Sequence, residues 1–178
     1  PFLTQHFGNP SSGHWAGRPA HESIESARQQ IASLLKCGTD EIVLTSAGSE
    51  SNNQVIKGVV LGATSPPHLI ISAVEHPAIT QPCHMMNTLG AEVSIISVDR
   101  HGLVNPDDVR RAIRPATALI SVMHANNEVG TIQPIAAIAR IAREHGILCH
   151  TDAAQSVGKI STYVDELDVD LLSLAGHK

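Results

Sequence analysis

The sequence predicts an α/β domain: a three-layer arrangement with a mainly parallel sheet and helices on both faces. Three observations predict it. Short apolar runs alternate with helical patterns along all 178 residues. Prolines stand where several helices would open. Aromatic residues make up only 2% of the chain, so Ile, Val, Leu and Ala must build the core. Apolar runs of strand length separated by helices are the pattern of a parallel sheet covered on both sides.

The elements follow in order. Residues 19–36 read as a helix, with Pro19 in its first turn and Cys37-Gly38 closing it. Residues 41–45 (EIVLT) read as a short buried strand, and residues 49–61 as a helix. A strand is expected at 68–74, a helix from Pro77, and a strand at 92–98. Pro106 opens a short helix to 114, before a strand at 117–123. A helix at 134–145 stops at Gly146, and strands at 147–151 and 168–174 complete the set. No repeat, low-complexity tract or linker interrupts residues 1–178, which read as one large domain or most of one.

Composition limits the function. The hydrophobic share is 42%, the net charge −5 and the isoelectric point about 6.1. There is no basic surplus to neutralise nucleic-acid phosphates or anionic lipid. No apolar run reaches the roughly 18 residues of a membrane span. The opening six residues lack a signal-peptide pattern, and a first residue other than Met is expected of a processed or cut N-terminus. Cys37, Cys83 and Cys149 are isolated, which fits a reducing cytoplasm better than a disulfide scaffold. The 11 histidines raise a metal hydrolase as one class, but no H-E-x-x-H or similar ligand spacing occurs.

In parallel sheets ligands gather beyond the carboxyl ends of the strands, so the residues there carry the chemistry. After EIVLT comes Ser46-Ala47-Gly48-Ser49-Glu50. This is either a phosphate-binding helix start or, more simply, a Ser N-cap with an acidic first turn. Glu75-His76-Pro77 offers a histidine that could lie over a planar cofactor, or only satisfy local backbone groups. Asn126-Asn127 could bond a ligand oxygen or form a turn. Asp152, at the end of an apolar strand, could pair with a pyridinium nitrogen or cap the turn that follows. Ala175-Gly176-His177-Lys178 brings a histidine and an amine together; such a lysine can form a Schiff base, though a single lysine is usually a surface charge. A strand-end acid and a strand-end amine are what a protein needs to hold pyridoxal 5′-phosphate.

Six stretches carry a resemblance to a known family. They are Gly8-Asn9-Pro10-Ser11-Ser12, the run from Leu44 to Asn52 (LTSAGSESN), Val74-Glu75-His76, Asn126-Asn127-Glu128-Val129-Gly130, the run from His150 to Lys159 (HTDAAQSVGK) and Gly176-His177-Lys178. In this order they resemble the NifS/IscS-type cysteine desulfurases, in the class V branch of pyridoxal-phosphate enzymes with the aminotransferase-type fold. The resemblance implies that Lys178 anchors the cofactor covalently and shuttles protons. It implies that Asp152 pairs with the pyridinium and that His76 stacks on the ring. Gln155 would bond the phenolic oxygen, with Asn127 close by. Gly48, Ser49 and His177 would hold the phosphate. Ser49 stands where the family usually has Thr, and Ala175 where many members have Ser.

The resemblance further implies a cysteine or selenocysteine substrate, a sulfur-acceptor protein, a homodimer and a cytoplasmic location. It also implies that this is part of a longer enzyme. The family's opening strand would precede Pro1; the carboxylate-binding arginine and the loop cysteine that takes up sulfur would follow Lys178. None of the three cysteines stands at the loop position. Selenocysteine lyase is a close alternative, sharing Ala16-Gly17-Arg18 and a small apolar residue at position 175. A non-catalytic fragment that retains the fold is another.

Overall fold

In the computed structural model, which describes residues 1–178, five short strands form one sheet: β1 (His68–Ser72), β2 (Glu92–Ile96), β3 (Thr117–Ser121), β4 (Leu148–Asp152) and β5 (Leu171–Ser173). Every pairing is parallel, and the order across the sheet is β2-β1-β3-β4-β5. Parallel neighbours need long crossovers, and helices supply them. These are α3 (Pro77–Thr88), α4 (Pro106–Ala112), α5 (Ile135–Glu144) and the short α6 (Val164–Leu167), while α2 (Gly48–Gly62) precedes β1. The chain steps outward from β1 to β2, then returns past β1 to place β3 on its other side. The direction of winding therefore reverses between β1 and β3, where such sheets open a ligand crevice.

Period-two side-chain alternation divides the core between the two faces. Leu69 and Ile71 of β1 and Leu119 of β3 pack with Ile56 of α2 and Ile79, Cys83 and Met86 of α3. Ile70, Ile96 and Ile120 face the other way, onto Val109 of α4, Ile135, Ile138, Ala139 and Ala142 of α5, and Leu167 of α6. The three layers expected from the sequence are thus present, and β1 is buried along its whole length. Ile96, by contrast, is the one fully buried residue of the edge strand β2.

The chain divides into two compact units, residues 1–44 and 45–178. The first contains α1 (Arg18–Leu35), which buries Ala32 and Leu35. Pro19 lies in its first turn, and Lys36 closes it in the left-handed conformation at φ 57°. Ahead of the helix, two motif glycines allow close backbone approach. A Cβ on Gly8 would fall 2.0 Å from the Ala16 carbonyl oxygen, and one on Gly17 would fall 2.4 Å from that of Asn9. No side chain fits at either position, so the Gly8-Asn9-Pro10 and Ala16-Gly17 stretches specify one another.

Two expectations are corrected, and one short helix is added. Residues 41–45 form no strand: a 3-10 turn spans Thr39–Glu41 and extended backbone follows. Val43 and Leu44 are exposed. An apolar run becomes a strand only where a neighbour takes its backbone hydrogen bonds, and no ladder reaches this one. The last strand is three residues long where seven were expected. Asp168 is the left-handed cap of α6 at φ 61°, and the Asp170 carboxylate accepts from the Cys149 amide at 2.8 Å. These two aspartates end the preceding segment before the ladder begins. Finally, α6 itself is too short to leave a periodic signal.

Truncating Ile138, which is fully buried between α5 and the sheet, creates a cavity in the α4–α5 layer. Ile138→Ala is expected to cost about 2–5 kcal/mol, seen as an earlier urea midpoint with an unchanged slope.

Candidate functional site

Because all five strands are parallel, their carboxyl ends lie along one edge of the sheet. The loops after β1, β3, β4 and β5 therefore emerge together. They carry Glu75-His76, Asn126-Asn127, Asp152 to Gln155, and Ala175 to Lys178 respectively.

Asp152 is the last residue of β4 and only 6% exposed. Its Oδ2 accepts from Asn52 Nδ2 at 2.7 Å, and its Oδ1 accepts from the Ala154 amide at 3.0 Å. The turn-capping bond to Ala154 is the plainer role considered for this residue, and it is made. It does not exhaust the carboxylate, which joins no ion pair. A buried carboxylate held by two donors and lacking a cation has acceptor capacity left for a charged N–H.

The start of α2 is not an ordinary Ser cap. Its N-cap is Ala47, with φ −167°, and no side chain caps it. The first-turn N–H groups are left for another acceptor, and the helix dipole makes that acceptor preferably an anion. Gly48 brings this helix start against the loop after β5: a Cβ on Gly48 would stand 3.3 Å from the Ala175 Cβ and 3.7 Å from the Leu174 carbonyl oxygen. Ser49 is exposed at the first turn, and His177 and Lys178 are exposed beyond Ala175. The Lys178 amide closes a turn onto the Ala175 carbonyl at 3.2 Å, leaving its side chain outside the backbone network.

His76 is the N-cap of α3, and its Nδ1 accepts from the Ala78 amide at 3.1 Å. That bond is the local role considered for it, and it leaves Nε2 as the ring's donor. The ring remains exposed and lines an open groove with Ser49, Asn53, Gln81 and Met85.

The two adjacent amides divide their tasks. Asn126 builds the loop: its Oδ1 accepts from the Glu128 and Val129 amides, and its Nδ2 donates to the Val74 carbonyl. Asn127 is exposed and has no such bond. Gln155, half-buried in the turn after β4, likewise makes no side-chain hydrogen bond within the protein.

Behind these residues lies a polar network that the strand-end reading missed. Ser51 Oγ meets Ser173 Oγ at 2.9 Å; Ser173 Oγ meets His150 Nε2 at 3.0 Å; His150 Nδ1 meets Ser121 Oγ at 2.8 Å. It ties α2 to β5, β4 and β3. His150 is completely buried, which drives its pKa down to about 3, so the ring is neutral. His124, also buried and with its pKa lowered by desolvation, bonds Ser156 Oγ at 2.9 Å. Asn52 was missed as well. The available signal was its place on the same helical face as Val55, Ile56 and Val59, where a polar residue is out of pattern.

The three cysteines are not activated. Burial pushes Cys83 and Cys149 up to about 12, and Cys37 is raised by burial and by Glu41 and Asp40. A nucleophilic cysteine needs the opposite shift.

The donor set suits pyridoxal phosphate. Asp152 is a buried acid without a cation, the α2 start is an uncapped anion site, and an amine stands beyond the adjoining loop. Comparison with known proteins agrees. Residues 1–178 match the aminotransferase class-V family throughout. The chain is 52% identical over 179 residues to the cysteine desulfurase IscS of Dictyoglomus turgidum and 45% identical to that of Methanosarcina thermophila. It is covered completely in both cases but spans only 45% and 44% of those relatives. Among solved structures, SspA in complex with cysteine superposes with a TM-score of 0.96 at 42% identity, over 99% of this chain and 51% of that one. A NifS-like protein superposes at 0.94 with 34% identity, over 99% and 49%. With a full-length family match and this parallel sheet, the chain belongs to the aminotransferase class-V family.

Proposed function

We propose that these residues are the cofactor-binding part of a pyridoxal 5′-phosphate-dependent cysteine desulfurase. The observation that carries the proposal is Asp152, a buried carboxylate without a cationic partner at the edge where four loops meet. The desulfurase names of the relatives support the choice of reaction, and the bound cysteine of the SspA structure supports the choice of substrate.

When bound, pyridoxal phosphate withdraws electrons from a substrate α-carbon and so acidifies its proton. Asp152 would hold the ring nitrogen in its charged form, because an ion pair favours the protonated partner. The first-turn N–H groups of α2 at Gly48 and Ser49, with the Ser49 hydroxyl and His177, bind the phosphate. Gln155 and Asn127 donate to the phenolic oxygen. The exposed ring of His76 would face the cofactor, with Nε2 as the atom available for proton transfer. Lys178 Nζ would be the covalent anchor and the group to move the substrate α-proton.

In the net reaction, the carbon–sulfur bond of L-cysteine breaks and a sulfur–sulfur bond forms on an enzyme thiol. The electron pair stays with the carbon skeleton, which takes up a proton to become alanine. The thiol is none of Cys37, Cys83 or Cys149, since each is raised in pKa. It belongs to the remaining half of the enzyme, as does the carboxylate-binding arginine. A sulfur-acceptor protein, as in iron–sulfur cluster or thio-cofactor assembly, and a homodimeric assembly complete the proposal.

Lys178→Ala in the full-length protein is expected to abolish the near-visible absorbance gained on adding pyridoxal phosphate, and with it alanine production; a variant that keeps both sinks the assignment. Asp152→Ala should weaken cofactor binding by about tenfold or more, the scale of a lost charge-assisted bond. Ser49→Ala should weaken it by only about fivefold, because the backbone donors remain. A large turnover preference for selenocysteine over cysteine would replace desulfurase by selenocysteine lyase.

A further inference from the structure

Two buried side-chain oxygens have no hydrogen-bond partner: Oε2 of Glu75 and Oδ1 of Asn52. Both residues are linked to Asp152. Asn52 donates to it directly, and Glu75 lies near enough for the Asp152 charge to act on it. Glu75 is 8% exposed and reaches across from the loop after β1. Its Oε1 accepts from Ser72 Oγ and, at 2.8 Å, from the Met123 amide after β3. The proposed function gives Glu75 no part.

Two orphaned acceptors so close to a buried carboxylate are costly if Glu75 is ionised. One proton removes the difficulty. On Oε2 it turns an orphaned acceptor into a donor, and Asn52 Oδ1 is the buried acceptor lacking one. It also leaves Asp152 as the single charge of the pair. Burial, the largest cause, lifts the Glu75 carboxyl to about 7, against the lowering by its bonds from Ser72 and Met123, and Asp152 raises it further. The other titratable group on which it acts is Cys83 of α3, itself protonated; no cation contributes.

We infer that Glu75 is a positioning residue held as a carboxylic acid, donating from Oε2 to Asn52 Oδ1 so that Asn52 Nδ2 is held and polarised toward Asp152. The donors then run in one direction, from the Met123 amide and Ser72 through Glu75 and Asn52 to Asp152. An amide whose oxygen accepts is a better donor at its nitrogen, so the series strengthens its last bond. The positioning role rests on the assignment of Asp152 to the cofactor; the protonation of Glu75 does not.

The test uses the full-length protein with and without pyridoxal phosphate, about one unit below the value of about 7 expected for Glu75. The infrared difference between wild type and Glu75→Gln should contain the carbonyl stretch of a protonated carboxyl. Gln mimics the neutral acid, with an N–H for Asn52 and a carbonyl for Ser72 and Met123. It should bind the cofactor within about twofold of wild type, whereas Glu75→Met, lacking both, should bind about tenfold more weakly. Linkage supplies a further readout. A carboxyl raised from 4.5 to about 7 in the folded state adds stability below 4.5 that is lost as the pH rises to about 7, and Glu75→Gln should remove that decline. Absence of the carboxyl band with normal cofactor uptake overturns this inference alone, as does a Gln variant as impaired as Met. A wild type that has the band but takes up no pyridoxal phosphate overturns the positioning role together with the cofactor assignment.

Discussion

The burial of the Asp152 carboxylate is the constraint on which the carboxyl edge of the sheet depends. An ionised carboxylate withdrawn from water is costly unless donors or a cation replace the lost hydration. The chain supplies two donors, the Asn52 side chain and the Ala154 amide. The first of these ties α2 to β4 across a sequence separation of 100 residues. Because Asn52 sits one turn into α2, holding it also fixes where the uncapped start of that helix points. The uncapped helix start and the buried acid are thereby placed by one hydrogen bond.

A second set of bonds supports the same placement. Ser51, next to Asn52, joins Ser173, His150 and Ser121, so α2 is held to β5 as well as to β4. His150 can do this because its burial keeps it neutral, with one ring nitrogen donating and the other accepting. Gly48 completes the junction, since the loop carrying Ala175 approaches where a side chain would crowd it. Residues that would touch a ligand are in turn left exposed: Ser49, His76, Asn127, His177 and Lys178. The hydrogen-bond network thus lies in the buried layer, and the exposed side chains keep polar atoms that a ligand would meet.

Several plain roles considered for the strand-end residues are filled and remain compatible with the proposed ones. Asp152 caps its turn and keeps acceptor capacity. His76 satisfies the Ala78 amide through Nδ1 and presents Nε2. Asn126 takes the turn-forming role alone, which leaves Asn127 exposed. At the start of α2 the plain role fails, because Ala47 occupies the N-cap. One side chain with two polar atoms can serve the backbone with one and a ligand with the other, so the two roles were never exclusive.

Local chemistry in the sequence was enough to determine the layered α/β class, four of the five strands nearly to their ends, and the motif order that marks the family. Apolar periodicity and proline placement depend only on neighbours within a turn or a strand, so they can be read directly. Tertiary structure decided what depends on distant partners. It denied residues 41–45 a ladder, shortened β5 through Asp168 and Asp170, and brought Asn52, Glu75 and Asp152 together from three separate elements. A hydrogen bond between residues 100 positions apart leaves no periodic trace, which is why the groups that hold Asp152 in place became visible only in the fold.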